Sequence, residues 1–204
     1  MLRSKRWVIL VVTFLMLGIL GAGLANAARL AREDTLYIAG QQWGPPTSFN
    51  PIGRGSIAWP INNSLYVYET LYTGELDPIL AEKNEWVESD MVLRLTLFEG
   101  TRWHDGEPLT AEDVRYTLEL GNKYPVSYAN WWNYVNEVRV IDPRTIDIVL
   151  NPERPHRTMV LQDLGNIRIL PKHIWKPVED AGTSPQEVAN MEPVGSGPYT
   201  ILNY

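Results

Sequence analysis

Residues 96–119 read TLFEGTRWHDGEPLTAEDVRYTLE, and this stretch combines the end of a strand, a tight turn and the start of a helix. The pair Asp105-Gly106 is typical of a tight turn, because glycine accepts a positive φ at no steric cost. Thr110 and Asp113 have the spacing of a capping box, in which each residue satisfies the backbone amide of the other. We therefore predict a helix that begins after Thr110 and ends at Gly121, since glycine is common at helix ends.

The segments on either side predict further strands and helices. Leucines at positions 93, 95 and 97 alternate with polar residues, which predicts a strand with one buried face. Two strand runs, 137–141 and 145–150, are joined by the turn residues Asp142-Pro143-Arg144 and so predict a hairpin. The other predicted elements are strands at 35–39, 167–170 and 199–204, a helix at 61–72, and a helix or loop at 171–190 interrupted by Pro177 and Pro185.

The N-terminal segment has the layout of a secretory signal peptide. Three basic residues within the first six positions precede an uncharged, mostly apolar run, and Ala25-Asn26-Ala27 then supplies the small residues that signal peptidase requires. The alternative is a permanent membrane anchor, for which an apolar run of about 17 residues is short. We therefore predict that residues 1–27 are removed and that the mature protein begins at Ala28.

Charge and cysteine content limit the partners. The net charge is −6, and removal of the leader with its three basic residues would change it to about −9. An acidic protein is a poor partner for nucleic acid or an anionic membrane surface, so we predict neither. The chain contains no cysteine, which excludes disulfides, thiolate metal ligands and a lipid-bearing cysteine after the leader. We expect a protein that is free in a periplasmic or other extracytoplasmic space.

The cluster of His104, Asp105 and Glu107 has the residue types of an acid–base or metal site, but a structural role explains it better. Asp105 belongs to the turn that precedes the capped helix. The other two histidines are distant in sequence and show no ligand spacing. No nucleophile triad and no phosphate loop occurs in the context that such motifs require. We therefore predict a binding module without catalytic residues, metal or cofactor.

Residues 96–119 closely resemble the signature of the family 5 solute-binding proteins, which serve ABC importers of peptides, oligosaccharides and nickel chelates. Shorter blocks resemble the same family in the same order, namely Asn50-Pro51, 67–71 (VYETL), 78–82 (PILAE), 169–175 (ILPKHIW) and 194–199 (VGSGPY). The resemblance implies a class II, two-lobed, periplasmic-binding-protein-like α/β fold that closes over its ligand. It also implies that residues 28–204 are the N-terminal part of this domain, comprising part of the first lobe with its inserted subdomain, and that the second lobe is absent. The implied partners are the permease and ATPase subunits of the importer.

The predicted ligand class depends on tryptophans that lie beside amide side chains. Flat aromatic rings and amide groups suit sugars, whereas peptides need charged groups for their termini. The candidate ligand-binding residues are Gln41, Gln42, Trp43, Trp59, Trp131, Trp132 and Asn133. Trp43 is the favoured ring, because it lies in a Gly- and Pro-rich loop just after the first predicted strand. This loop is also similar to that of the cello-oligosaccharide-binding branch of the family. We predict a cello- or xylo-oligosaccharide, with an oligopeptide, or a ligand-sensing scaffold without transport, as the alternatives.

Overall fold

The computed structural model describes residues 48–53, 68–73 and 76–200, which all belong to one compact unit of residues 44–204. This part of the chain contains four strands, which are β1 (Ala81–Val87), β2 (Val92–Leu97), β3 (Val135–Val140) and β4 (Thr145–Leu150). They form one antiparallel sheet in the order β1-β2-β4-β3. Three helices accompany the sheet, namely α1 (Ala111–Lys123), α2 (Arg157–Leu164) and α3 (Lys172–Asp180). Two short 3-10 helices cover Ala129–Asn133 and Pro185–Glu187.

The two predicted strand patterns are confirmed. The three leucines of β2 are buried, and Leu93 and Leu95 lie opposite Ile148 and Ile146 of β4. The hairpin turn between β3 and β4 is closed by Asp142, whose Oδ1 accepts the amides of Arg144 (2.8 Å) and Thr145 (2.9 Å). A short polar side chain that bonds to backbone amides two and three residues later favours a turn over a continued strand.

A charged pair crosses the sheet between β2 and β4. Arg94 and Asp147 are direct neighbours across the two strands, and both nitrogens of the Arg94 fork donate to Asp147 at 2.7 Å. The Asp147 side chain is only 3% exposed, and this two-point contact with Arg94 satisfies both of its carboxylate oxygens.

The predicted start of helix α1 is confirmed. Thr110 is its N-cap, and the Thr110 amide donates to Asp113 Oδ2 at 2.8 Å, which closes the capping box. Glu112 and Asp113 add negative charge to the first turn, where the helix dipole favours it. Helix α1 packs across β3 and β4, and the core lies between the helix and the sheet.

The predicted end of α1 is wrong. The helix continues through Gly121 to Lys123. A Cβ at position 121 would lie 2.9 Å from ring atoms of Tyr128, which is too close for any real side chain. Gly121 is therefore explained by the close approach of the Tyr128 ring and not by a helix stop.

Three other local predictions are also corrected. Residues 68–72 are not helical, and residues 54–67, which complete the predicted helix, lie outside the described residues. The predicted strand at 167–170 is reduced to one isolated bridge between Thr70 and Arg168, because its amides bond to separate partners. Pro177 does not interrupt α3, which runs from Lys172 to Asp180 with the proline inside it, and the Pro177 carbonyl accepts the Ala181 amide at 3.0 Å.

The predicted strand at 35–39 lies outside the described residues, as do positions 201–204 of the predicted C-terminal strand, and residues 199 and 200 are not in a strand. Within the described ranges, no helix combines the length and the apolar character that crossing a bilayer requires.

Candidate functional site

The Trp131 side chain belongs to the core, which corrects its assignment as a ligand-binding ring. It is 1% exposed, and its Nε1 donates to the Val160 carbonyl at 3.2 Å. A ring with both faces packed by protein cannot stack on a sugar. The prediction treated Trp131 and Trp132 alike. Adjacent residues on a 3-10 turn point in different directions, so only one of the two rings enters the core.

Trp132 and Asn133 are more accessible, but each side chain already donates a hydrogen bond to a backbone carbonyl. The Trp132 indole N–H donates to the Leu118 carbonyl at 2.8 Å, and its ring meets Trp131 edge-on, with centroids 5.5 Å apart. Asn133 is exposed, and its amide nitrogen donates to the Asn130 carbonyl of the same turn at 2.9 Å. Their role in ligand binding stays a prediction. The other four candidates, Gln41, Gln42, Trp43 and Trp59, lie outside the described residues.

His104 and Asp105 form hydrogen bonds that link segments distant in sequence. The backbone amide of His104 donates to the Gly195 carbonyl (2.8 Å), and its ring lies between the Gly197 carbonyl (Nε2, 2.8 Å) and the Gly195 amide (Nδ1, 3.3 Å). Asp105 Oδ2 is 2.7 Å from His173 Nε2. Burial tends to raise the pKa of Asp105, but the hydrogen bonds from His173 and from the Glu107 amide hold it below the usual value.

A shallow pocket of about 430 Å³ opens between this turn, the start of α1 and helix α3. Its charged groups largely satisfy one another. Lys172 Nζ is 2.8 Å from Glu112, and Asp113 Oδ1 accepts the Lys172 backbone amide at 2.8 Å. Hydrogen bonds from Lys172 and Arg115 lower the pKa of Glu112. These contacts join α1 to α3, so the pocket lies at a packing interface of the scaffold. Glu112, Asp113 and Lys172 are therefore not free to bind a charged ligand.

A third group of polar residues, Glu69, Arg168 and Ser196, lies where three segments of the chain meet. We call this group the polar junction. Thr70 and Arg168 form an antiparallel bridge, and the Ile169 amide donates to the Glu69 carbonyl at 2.9 Å. The Glu69 amide in turn donates to Ser196 Oγ at 3.3 Å. Three segments that are far apart in sequence therefore meet there.

Charges at the polar junction are incompletely compensated. Arg168 is half buried, and its Nε is inaccessible to solvent and has no hydrogen-bond partner in the described part of the chain. Burial lowers the pKa of the Arg168 guanidinium, an effect that the charge of Glu69 opposes. Burial likewise raises the pKa of Glu69, against the charge of Arg168. No ion pair within 4.0 Å joins the two side chains among the described residues.

Our sequence reasoning missed Arg168. The available signal was a single arginine between apolar residues, in the run Ile167-Arg168-Ile169-Leu170, where the three apolar neighbours prove to be buried. Over the described ranges, no group of His, Cys, Asp and Glu side chains could hold a metal ion.

Comparison with known proteins places these features in a family. Residues 75–204 match the family model of the bacterial extracellular solute-binding proteins, family 5 Middle. A periplasmic oligopeptide-binding protein from Thermotoga maritima is 38% identical and matches 81% of this chain with a TM-score of 0.67. Its mannohexaose-bound structure matches 86% of this chain at 37% identity, with a TM-score of 0.69. The dipeptide-binding protein of Escherichia coli K12 is 26% identical over 93% of this chain.

These relatives are much longer than the present chain. It covers 31% and 32% of the two Thermotoga maritima chains and 39% of the Escherichia coli protein. Two further relatives, from Sinorhizobium fredii and Agrobacterium fabrum, are covered to 25% and 23%. The likeness to periplasmic binding proteins confirms the predicted class, since the described residues form part of such an α/β fold. The protein therefore belongs to the family 5 bacterial extracellular solute-binding proteins.

Proposed function

We propose that this protein captures a solute outside the cytoplasm and delivers it to the membrane permease of an ABC importer. The observation that carries the proposal is the family match over residues 75–204, together with the fold likeness to a periplasmic oligopeptide-binding protein. The signature cluster is consistent with this role, because His104 and Asp105 fasten segments of the scaffold. Binding and release of a solute require no bond chemistry, so we propose no enzymatic activity.

The proposed ligand is an oligosaccharide of the cello- or xylo- type, with an oligopeptide as the alternative. The oligosaccharide is supported by Trp43 and its neighbouring glutamines, and by the mannohexaose-bound relative at 37% identity. The oligopeptide is supported by the names of relatives such as the dipeptide-binding protein of Escherichia coli. The burial of Trp131 removes one ring from the sugar argument, which leaves Trp43 and Trp59 as its principal support.

Calorimetric titration of the natural protein tests both ligand classes. The panel contains cello- and xylo-oligosaccharides, mannohexaose and di- to pentapeptides. Loss of one stacking face should weaken sugar binding about 10- to 100-fold in Trp43→Ala, with little change in the melting temperature. Trp86→Ala is the matched control, because Trp86 lies on β1 under the Arg157 guanidinium, 4.6 Å from its ring centroid. Tight peptide binding without any sugar heat would refute the oligosaccharide assignment.

We further propose that residues 1–27 form a cleaved leader and that residues 28–204 are the N-terminal part of a longer solute-binding domain. The family's extracellular character supports export. The share of the relatives that this chain covers supports the second part. N-terminal sequencing of the exported protein should begin at Ala28, whereas an intact Met1 on membrane-bound protein would support an anchor.

A further inference from the structure

The His104 ring takes part in two hydrogen bonds whose directions are fixed by the backbone. It lies on the turn that the bridge between Arg102 and Pro108 closes, which we call the signature turn (residues 102–108). The Gly195 amide is 3.3 Å from Nδ1 and can only donate, whereas the Gly197 carbonyl is 2.8 Å from Nε2 and can only accept. Nδ1 must therefore carry a lone pair and Nε2 a proton. The geometry requires the neutral Nε2–H tautomer of His104.

A second proton on the ring is incompatible with this arrangement. It would bind to Nδ1, where the new N–H group would point at the N–H group of Gly195. Gly195 is buried, and its amide has no other acceptor among the described residues. A buried amide that loses its acceptor is costly, so one of the two segments must move.

No carboxylate compensates the charge of a protonated His104, since none lies within 4.0 Å of the ring in the described part of the chain. The charged and titratable groups on the elements that meet around the ring are Arg102, Asp105 and Glu107 of the signature turn, Lys172 and His173 of α3, Glu69 and Arg168 of the polar junction, and Glu192 ahead of Gly195. Asp105, which follows His104 directly, is paired with His173. Protonation of His104 therefore breaks a hydrogen bond and gains no ion pair.

The turn at residues 195–197 connects this change to the polar junction. Ser196 Oγ accepts the Glu69 amide at 3.3 Å, and the Glu69 carbonyl accepts the Ile169 amide at 2.9 Å. The backbone amide of His104 donates to the Gly195 carbonyl at 2.8 Å, and this bond does not involve the ring. We therefore expect the turn to loosen at the Gly195 amide while it stays attached through the Gly195 carbonyl.

His173 responds to acid in the opposite direction. Its Nε2 is 2.7 Å from Asp105 Oδ2, and this nitrogen donates whether the ring is neutral or charged. A proton on His173 adds electrostatic attraction to the carboxylate. The signature turn thus has two histidine contacts, of which acid weakens one and strengthens the other.

We propose that His104 is an acid-sensitive link between the signature turn and the turn at residues 195–197. The neutral ring holds Gly195, and protonation at Nδ1 releases the Gly195 amide and weakens the contact between Ser196 and Glu69. Imidazole ordinarily changes its charge between about pH 5 and pH 8, so the link is complete at the upper end of this range and is lost as the pH falls through it. This device goes beyond the proposed function, since it depends on the scaffold alone and requires no solute.

Nitrogen NMR of the unliganded natural protein tests the tautomer. The histidines are labelled with ¹⁵N, and the His104 signals are identified by their absence in His104→Asn. At pH 8 we expect the Nε2–H form with an unprotonated Nδ1, and we expect Nδ1 to take up a proton as the pH is lowered to 5. An Nδ1–H tautomer at pH 8, or a ring that is still neutral at pH 5, would overturn the proposal.

Hydrogen exchange measures the release of the turn. The protection of the Gly195 and Glu69 amides is corrected for the intrinsic exchange rate at each pH and expressed relative to the Leu118 amide inside α1, which reports global opening. It should fall about 10-fold between pH 8 and pH 5, with the same midpoint as the His104 ring. Unchanged protection of Gly195 after the wild-type ring has become charged would overturn the link.

Two variants assign the pH dependence to one histidine. His104→Asn keeps an acceptor near the position of Nδ1 but cannot take up a proton, so the relative protection of Gly195 should no longer depend on pH. His173→Asn is the matched control, because it changes the other histidine contact of the signature turn and should leave the pH dependence of Gly195 intact. An equal fall in protection in His104→Asn, or its disappearance in His173→Asn, would place the acid response elsewhere and overturn the proposal.

Discussion

Replacement of Gly121 by alanine should destabilise the protein, although the same change stabilises most helices. Gly121 lies inside α1, where alanine is favoured over glycine by about 1 kcal/mol. The new Cβ would lie 2.9 Å from Cδ2 and Cε2 of Tyr128 and 3.2 Å from Cδ1 of Trp132. The Tyr128 ring cannot easily move, because its hydroxyl donates to the Thr117 carbonyl at 2.7 Å in the core.

The balance of these two effects sets the expected magnitude. Overpacking of a filled core costs about 1–3 kcal/mol. After subtraction of the propensity gain, Gly121→Ala should lower the free energy of unfolding by up to about 2 kcal/mol. For a chain of this size that corresponds to a fall in melting temperature of about 2–4 °C per kcal/mol. Asn122→Ala is the matched control, since Asn122 is the next residue of α1 and is exposed. It should gain about 0.5 kcal/mol.

Urea denaturation followed by tryptophan fluorescence measures both variants, and a double-mutant cycle isolates the clash. Tyr128→Leu removes the ring that the new methyl group meets, so Gly121→Ala should cost less in that background than in the wild type. Gly121→Ala that gains as much stability as Asn122→Ala would refute the packing explanation for this glycine.

Three further predictions concern the scaffold. Thr110→Ala should cost about 1 kcal/mol in urea denaturation, because it removes the N-cap side chain of α1, and unchanged stability would contradict that role. Trp131→Ala should cost about 3–5 kcal/mol as a core deletion, while any affinity change that exceeds the loss of folded protein would restore Trp131 as a ligand contact. The lowered pKa values of Asp105 and Glu112 mean that the hydrogen bonds to these carboxylates contribute stability above their ordinary values of 3.8 and 4.5, respectively, and that this contribution is lost as the pH falls through the lowered values. Glu112→Gln should therefore reduce the fall in melting temperature as the pH is lowered below 4.5, and an identical acid profile would contradict the assignment.

Local chemistry explains which parts of the fold were predictable. The Thr110–Asp113 box, the Asp142 turn and the leucine alternation of β2 depend on neighbours within a few residues or on simple periodicity. The α/β class was accessible for the same reason, together with the family resemblance. These predictions did not require knowledge of which segments meet in space.

The wrong predictions share one cause, which is a partner distant in sequence. Gly121 has the residue type of a helix stop, but a ring seven positions later determines its role. Residues 167–170 have the composition of a strand, yet Thr117 of α1 takes the Leu170 amide that a ladder would use. Trp131 has the residue type of a sugar-stacking ring, but its indole N–H reaches the Val160 carbonyl across the core. Tertiary contacts override local preference at each of these positions.

The candidate site was harder to predict than the fold, because the polar residues of the recognisable signature already have hydrogen-bond partners within the protein. The signature turn attracts attention, yet His104 bonds to Gly195 and Gly197, and Asp105 pairs with His173. Arg168 belongs to no recognisable motif, and the lack of a hydrogen-bond partner for its Nε among the described residues emerges only from the three-dimensional structure.

The signature and the polar junction are nevertheless physically connected. The His104 ring holds the turn at residues 195–197 from one side, and the Glu69 amide holds Ser196 from the other. A substitution at His104 should therefore loosen the turn that carries Ser196. His104→Ala should lower the melting temperature of the unliganded protein, because it removes the ring contacts to Gly195 and Gly197. Loss of solute binding by His104→Ala at an unchanged melting temperature would contradict this structural role and make His104 a ligand contact.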